Sequence, residues 1–318
     1  MITAAEYLDF FGREYLDDFV VRGGAAVKFV VAGDDPTHDA FSAQLGRRAR
    51  DAGYSHCTID AARTRVHMID QVFFAVAGQI DFDATAAAFL RGALHQLRMP
   101  MDDGDTLTLA AIAERHAYDA PELQRDINRL LQREVLGDHG MTREFRVAMV
   151  RLCQGHLRGA LGEDSEAQAI REWLRGELRH IVRLRSALIF ARIGRHNARA
   201  MLLSLGRWLR RTGAAGLSLE FDLRRLATAR RPVPVPEDAP VFYSKPAVLD
   251  AYEVLRQLID ATDELAWCSV VITTQPEFLT DDKRGLDAYS ALKLRLWNEV
   301  HDRQRDNPLS SLIRLETS

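Results

Sequence analysis

The sequence holds little of what marks secreted or membrane proteins. Its three cysteines, Cys57, Cys153 and Cys268, stand far apart, and an odd, scattered set forms no disulfide framework and fits a reducing compartment. No apolar run approaches the roughly 18–20 residues of a membrane span, since the densest patch, Val72–Ala77, is much shorter. Residues 1–10 contain acidic but no basic residues, unlike a secretory signal. We therefore expect a cytoplasmic protein with no membrane contact.

Familiar catalytic signatures are also missing. The chain has no H-E-x-x-H and no G-x-S-x-G motif, which excludes the common zinc-protease and α/β-hydrolase patterns. His56 and Cys57 are adjacent, but no second pair completes a zinc site, so we predict no metal ligands. Cys153 and Cys268 lie among apolar residues and are expected to be packing residues rather than nucleophiles.

Charge is balanced over the whole chain and unbalanced along it. Lys plus Arg is 42 and Asp plus Glu is 45, for a formal net charge of −3, so the composition neither demands nor forbids a nucleic-acid partner. The stretch Arg171–Arg231 holds fifteen arginines, no lysine and four acidic residues. This pattern indicates either a surface for phosphates or an acidic partner, or arginines that solvate helix faces and pair with acids elsewhere.

Short apolar runs, of which Ala25–Ala32 is rich in valine, alternate with helical periodicity near both ends of the chain. This alternation predicts an α/β fold with a parallel sheet. The helices that flank the runs include His38–Ala52, Ser244–Ala261 with a serine cap, and Leu286–Arg303. The predicted strands are Ala25–Ala32, Tyr54–Ile59, Ala215–Asp222, Cys268–Thr274 and Leu312–Leu315.

The middle of the chain reads as almost entirely helical, with Glu177–Phe190 among its candidate helices. A chain of 318 residues with 47% hydrophobic residues suffices for one large domain or two small ones. We therefore expect residues 1–65 to form the first part of the α/β core and residues 212–318 its second part. Residues 66–211 then form a helical block or insertion.

Polar residues follow the predicted strands where parallel α/β sheets carry their chemistry. They are Gly33-Asp34-Asp35, Asp60, Asp222 and Thr273-Thr274-Gln275. The order is compatible with a P-loop ATPase, which has a phosphate loop after an early strand, a magnesium-organising acid after a later one and then a polar sensor. Other α/β folds share the same pattern.

Two segments carry a family resemblance. Residues Ser244–Asp260, SKPAVLDAYEVLRQLID, and Pro276–Leu292, PEFLTDDKRGLDAYSAL, resemble the ATP-binding P-loop proteins BrxC and BrxD of bacterial BREX phage-defence clusters. The resemblance extends more loosely to Tyr15–Ala32 and Ala215–Leu226. It implies a P-loop NTPase-like, AAA+-like parallel sheet with a large helical insertion.

The family's phosphate loop would fall at Gly33–Ala40, where the chain departs from the pattern G-x-x-x-x-G-K-[ST]. In that motif the second glycine lets the backbone wrap a phosphate, the lysine neutralises the phosphates and the hydroxyl ligates Mg²⁺. Here His38, Asp39 and Ala40 stand at those positions. Asp39 and two nearby aspartates add negative charge where phosphates need positive charge. We expect ATP and Mg²⁺ not to bind in the usual pose unless another group compensates.

The resemblance also implies roles at the later strands. Asp222 would match the magnesium-organising acid, Thr274 or Gln275 the sensor, and Arg284 an arginine finger for a neighbouring subunit. The position that often carries the catalytic glutamate is Leu223, and Glu220 lies on the opposite strand face.

The alternative is purely structural. In it Asp222 caps the next turn, Thr274 ends a strand, and Arg284 pairs with one of two nearby acids, Asp281 or Asp287. The candidates for a degenerate nucleotide site are Gly33, Asp34, Thr37, His38, Asp39, Asp222 and Thr274, with Asp222 and Arg284 as candidates for catalysis.

Three hypotheses follow. The first is a non-catalytic P-loop-like scaffold or regulatory component of a phage-defence assembly, which binds other defence proteins or a second copy of itself. The second is an active ATPase in which an arginine replaces the lysine, with Arg192, Arg195, Arg224 and Arg225 as the arginines to test. The third is a DNA-binding module that uses Arg171–Arg231.

Overall fold

The chain divides into two compact units. A computed structural model describes residues 2–159, 165–226, 240–297 and 307–316. The first unit comprises Met1–Val76 and Ala215–Ser318, and the second comprises Ala77–Ala214.

The first unit contains a five-stranded, all-parallel sheet with the order β2-β3-β4-β1-β5. This confirms the predicted α/β fold with a parallel sheet. The strands are β1 (Ala25–Val31), β2 (Tyr54–Asp60), β3 (Gly216–Asp222), β4 (Cys268–Thr274) and β5 (Leu312–Arg314).

The three central strands, β3, β4 and β1, are buried along nearly their whole length. Strand β4 is buried at every residue and β3 at all but its last, as is typical of strands covered on both faces. Gly216 opens β3 because a Cβ there would lie 2.1 Å from the carbonyl oxygen of Trp267. Because these strands pair in parallel, their carboxyl ends lie at one edge of the sheet.

Twelve α-helices occur in the described residues. A nine-residue π-helix, Gly12–Val20, continues directly from the first of them. The α-helices are α1 (Ala4–Phe11), α2 (Asp35–Asp51), α3 (Ile69–Ala77), α4 (Phe82–Gln96), α5 (Leu109–Arg115), α6 (Ala120–Leu131), α7 (Arg143–Arg158), α8 (Ser165–Leu174), α9 (Ala198–Arg211), α10 (Lys245–Asp260), α11 (Glu277–Thr280) and α12 (Ser290–Leu296).

A core cluster fixes α1 and α2 against the sheet. Tyr7 and Phe11 of α1 pack with Phe41 of α2, and the cluster reaches Val30 in β1 and Val271 in β4. All five side chains are fully buried. Burying a large apolar side chain contributes about 1.5–3 kcal/mol, so this cluster holds α1 and α2 against the sheet.

Helix α2 begins three residues earlier than the predicted His38–Ala52. The Asp34 side chain accepts a hydrogen bond from the backbone N–H of Thr37, and Pro36 occupies the first turn. Both are helix-start signals. The residues after Asp34 in the Gly33–Ala40 stretch are therefore helical rather than a loop.

The predicted helix Glu177–Phe190 is wrong. Its only helical turn is a 3-10 turn at Ile181–Leu184. Leu184, Ala187 and Ile189 are buried, a spacing that no single α-helical face provides. Leu188 has a φ of 60°, which ends any right-handed helix.

The last predicted helix is shorter than expected where it is described. Residues Leu286–Ala288 form a 3-10 turn and α12 spans Ser290–Leu296, while 298–306 lie outside the described residues. The predicted serine cap of α10 is confirmed, because Ser244 Oγ accepts a hydrogen bond from the backbone N–H of Ala247.

No single helix in the described part of the chain has both the length and the apolar composition to cross a membrane. Helices α3 and α4 meet those two criteria only when they are taken together.

Candidate functional site at the carboxyl edge of the sheet

Asp222, Thr273 and the first turn of α2 meet at the carboxyl edge of the sheet. Asp222 ends β3 and lies opposite Thr273 of β4, which in turn lies opposite Val30 of β1. Helix α2 follows β1 after only Ala32, Gly33 and Asp34. Short parallel strands and a short junction thus bring these groups together, as the sequence predicts.

Arg224 is the centre of this edge. Its guanidinium contacts Asp222 through Nη2–Oδ2 at 2.8 Å and through two Nε contacts at 3.1 and 3.2 Å. Nη1 reaches Asp35 Oδ1 at 3.1 Å and Asp39 Oδ1 at 2.9 Å. Gln275 Nε2 also donates to Asp35 at 3.0 Å. One arginine thus bridges three carboxylates from two elements.

The cleft around this cluster measures about 380 Å³. Its walls carry mostly charged groups, which suit a polar rather than an apolar ligand. The lining residues are Asp35, Asp60, Ala62, Asp222, Arg224, Arg225 and Gln275.

The electrostatics favour the ionised pair. Burial pushes the pKa of Asp222 upward, but the hydrogen bond from Arg224, the nearby His38 and the charge of Arg224 outweigh it, so the net pKa is lowered. The hydrogen bond to Asp222 raises the pKa of Arg224, as do Asp35 and Asp39. A largely buried carboxylate and a guanidinium therefore stabilise each other's charged forms.

His38 lies beneath this cluster and is buried. Its Nε2 is 2.8 Å from Thr273 Oγ1 and 3.6 Å from Asp222 Oδ1. Thr273 Oγ1 also donates to the carbonyl of Phe221 at 3.2 Å. Thr37 is buried as well. His38 therefore ties α2 to the sheet, and neither His38 nor Thr37 is among the residues that line the cleft.

Glu220 forms a second buried polar cluster that sequence reasoning did not identify. It is fully buried, accepts a hydrogen bond from Ser42 Oγ at 3.0 Å and lies 3.6 Å from His56 Nε2. His56 Nδ1 is 3.1 Å from Ser218 Oγ. The polar alternation of Ser218, Glu220 and Asp222 along an apolar strand is the signal that could have found it.

Of the remaining predicted residues, Gly33 and Thr274 lie at the carboxyl edge of the sheet, and Arg284 does not line the cleft. Gly33 is exposed at the junction, and Thr274 is buried at the end of β4, where its carbonyl accepts from Ala32. The Arg284 side chain donates to the carbonyl of Tyr243 at 2.9 Å, and its backbone N–H donates to Asp281. The acid Asp287 pairs with Lys293. Arg284 is absent from the described lining of the cleft.

The structural alternative at Asp222 is also realised. Its Oδ1 accepts from the backbone N–H of Arg224 at 3.1 Å, so Asp222 caps the turn after β3 while it binds the guanidinium. Within the described ranges, no group of three or more His, Cys, Asp or Glu side chains is arranged to hold a metal ion.

The arginine-rich stretch does not belong to one unit. Its arginines up to Arg211 lie in the second unit, whereas Arg224 and Arg225 lie in the first, and residues 227–231 lie outside the described residues. Several of its arginines form ion pairs with carboxylates inside their own unit. These pairs include Arg171–Asp83, Arg183–Glu172, Arg211–Asp138 and Arg224–Asp222.

Comparison with known proteins gives one match. Residues 243–317 match the family described as BREX system ATP-binding protein BrxC/D, which confirms the resemblance over that span. No curated protein and no solved structure matches the chain. The match covers α10, β4 and β5 but reaches neither β3 nor the first turn of α2.

Proposed function

We propose that the chain is a P-loop-like component of a BREX-type phage-defence system whose nucleotide site is closed by its own side chains. In this proposal the protein acts as a scaffold or regulator, bound to other defence proteins or to a second copy, rather than as an ATPase. The similarity of residues 243–317 to ATP-binding BrxC/D proteins and the parallel sheet support the family context.

The observation that carries the proposal is the position of Arg224 between Asp222, Asp35 and Asp39. A phosphate loop needs unpaired positive charge and free backbone N–H groups. Here the guanidinium is already neutralised, and the cleft wall carries a further carboxylate, Asp60, that does not pair with it. An incoming triphosphate would meet an excess of negative charge in a confined space.

The backbone supports the same conclusion. The helix begins at Asp35, so the segment after β1 is too short to wrap a phosphate. The side chain of Asp34 takes the N–H of Thr37, one of the N–H groups that an anion at this helix start would use. The residues present do not fit ATP with Mg²⁺, and we derive no catalytic step through that pair.

Calorimetric titration with ATP and ADP, each with and without Mg²⁺, tests the proposal. We expect no heat of binding for the unchanged protein and none for Arg225→Ala, which removes the neighbouring arginine of the same cleft. Magnesium-dependent binding that disappears in Asp222→Ala would contradict the closed site.

One observation favours a second candidate, an atypical ATPase. Arg224 supplies a cation at the edge where a phosphate-binding lysine would act, and in this alternative it exchanges its carboxylates for phosphate. Phosphate release assays separate the two proposals. An active enzyme would lose turnover in Arg224→Ala and keep it in Arg225→Ala, whereas a closed site gives no turnover in any of the three proteins.

A further inference from the structure

A segment of the second unit presents arginines with no acid among them. We name residues 178–197 the arginine loop. It contains Arg179, Arg183, Arg185, Arg192 and Arg195 and no Asp or Glu, and all five arginines are exposed. A local field of one sign over so short a segment attracts polyanions.

Buried side chains and hydrogen bonds anchor the arginine loop to the second unit. Leu184, Ala187 and Ile189 are buried in the unit, and Trp173 Nε1 donates to the carbonyl of Ala191 at 3.0 Å. Arg192 Nη2 donates to the carbonyl of Arg179 at 2.6 Å, which ties the two ends of the loop together. Its exposed side chains therefore project from an anchored backbone.

Large apolar side chains stand among these arginines. Val182, Leu188 and Phe190 are 53%, 50% and 59% exposed. Leu188 also has a φ of 60°, a conformation that costs an L-residue about 1–2 kcal/mol. An exposed leucine held in a strained backbone is a feature from which function can be inferred.

The charges of the loop are mostly available to a partner. Arg183 pairs with Glu172 at 2.5 Å. Arg179, Arg185 and Arg195 have no carboxylate partner in the part of the chain that the structure describes. This distinguishes them from Arg211, whose guanidinium contacts both Glu134 and Asp138.

We propose that the arginine loop binds duplex DNA, with its arginines on the phosphates and Leu188 and Phe190 as an apolar wedge between base steps. Proteins that bend DNA combine minor-groove arginines with inserted Leu or Phe side chains. In the loop Arg183 directly follows Val182 and Arg192 stands two residues after Phe190, so positive charge flanks the exposed apolar side chains, as it does beside an inserted wedge. This proposal is independent of the nucleotide site.

Fluorescence anisotropy with a labelled duplex, from about 50 to 200 mM salt, tests the phosphate-binding role. The variant Arg179→Gln/Arg185→Gln/Arg195→Gln should bind at least tenfold more weakly. Its logarithmic salt slope should be smaller by about 0.9 for each phosphate that the variant no longer neutralises. The matched control Arg129→Gln/Arg133→Gln/Arg143→Gln removes the same charge from arginines of the same unit that lie beside acids, and should bind nearly as well as the unchanged protein.

The wedge has its own readout. Energy transfer between dyes at the two duplex ends should report bending by the unchanged protein and the absence of bending with Leu188→Gly/Phe190→Ala, while the salt slope stays the same. Glycine suits the φ of Leu188, so this variant keeps the loop folded.

Three outcomes would overturn the proposal. They are no duplex binding at low salt, equal weakening by the loop triple and its control, or binding of a Glu-rich peptide with Leu and Phe in preference to the duplex. The last outcome would assign the loop to an acidic protein partner.

Discussion

Arg224 and the arginine loop show two opposite uses of the same side chain. At the edge of the sheet, one guanidinium is shared by three carboxylates and sits in a cleft. In the second unit, Arg179, Arg185 and Arg195 stand exposed without acidic partners among the described residues. The comparison teaches that local arginine content is a poor guide to ligand binding. An arginine that is paired with carboxylates is not available to a ligand, whereas an exposed arginine without such partners is.

The largest effect should come from breaking the closed cluster. Arg224→Ala leaves Asp222, which is only 14% exposed, without its cation, and we expect a decrease of about 2–3 kcal/mol in the free energy of unfolding. Arg185→Ala in the loop should change it by less than about 0.5 kcal/mol. Urea unfolding of both variants measures the difference, and a decrease for Arg224→Ala as small as that for Arg185→Ala would show that the cluster does not stabilise the fold.

The free energy of unfolding at acid pH should also depend on the Asp222–Arg224 pair. The folded-state pKa of Asp222 is lowered, so its contribution is complete above the unfolded Asp value of about 4. It is lost as the pH falls through the lower folded-state pKa. Asp222→Asn should therefore flatten the dependence of the unfolding free energy on pH in this acid range, and Asp9→Asn, at an exposed position, serves as the control. An unaltered acid limb in Asp222→Asn would contradict the pairing.

In the arginine loop a substitution should instead stabilise the protein. Leu188→Gly relieves a left-handed backbone and removes an exposed side chain, so we expect a gain of up to about 1 kcal/mol. Phe190→Ala, on the same exposed surface, should be nearly neutral. Thermal unfolding checks both, and a clear decrease in stability in Leu188→Gly would show that Leu188 packs within the fold.

The smallest effect is expected at the outer carboxylates. The side chains of Asp35 and Asp39 are both 67% exposed, and exposed ion pairs contribute about 0–1 kcal/mol. Asp35→Asn/Asp39→Asn should therefore cost less than about 1 kcal/mol, and the cost should shrink in high salt. Urea unfolding at two salt concentrations measures it, and a cost as large as that of Arg224→Ala would place the main support of Arg224 outside Asp222.

The sequence predicts the strands well because their signal is local. Strand β4 lies at the predicted Cys268–Thr274, since a continuous apolar run specifies burial on both faces. Asp222 and the first turn of α2 meet as expected because parallel strands end at one edge.

The tertiary contacts could not be predicted in the same way. No local sequence pattern predicts that Arg224 forms ion pairs with Asp35 and Asp39, or that Glu220 accepts a hydrogen bond from Ser42. The helical periodicity of Glu177–Phe190 is overridden because Ala187 and Ile189, two residues apart, are both buried in the second unit. The cap at Asp34 was readable, and it moves the helix start into the expected phosphate loop.

Arginine side-chain nitrogen resonances, recorded during titration with ATP and Mg²⁺ and then with duplex DNA, test the contrast most directly. We predict that the Arg224 Nε signal stays unchanged throughout the nucleotide titration, while the signals of Arg179, Arg185 and Arg195 shift with the duplex. A shift of the Arg224 signal on addition of ATP, with the loop signals unmoved by DNA, would contradict the account.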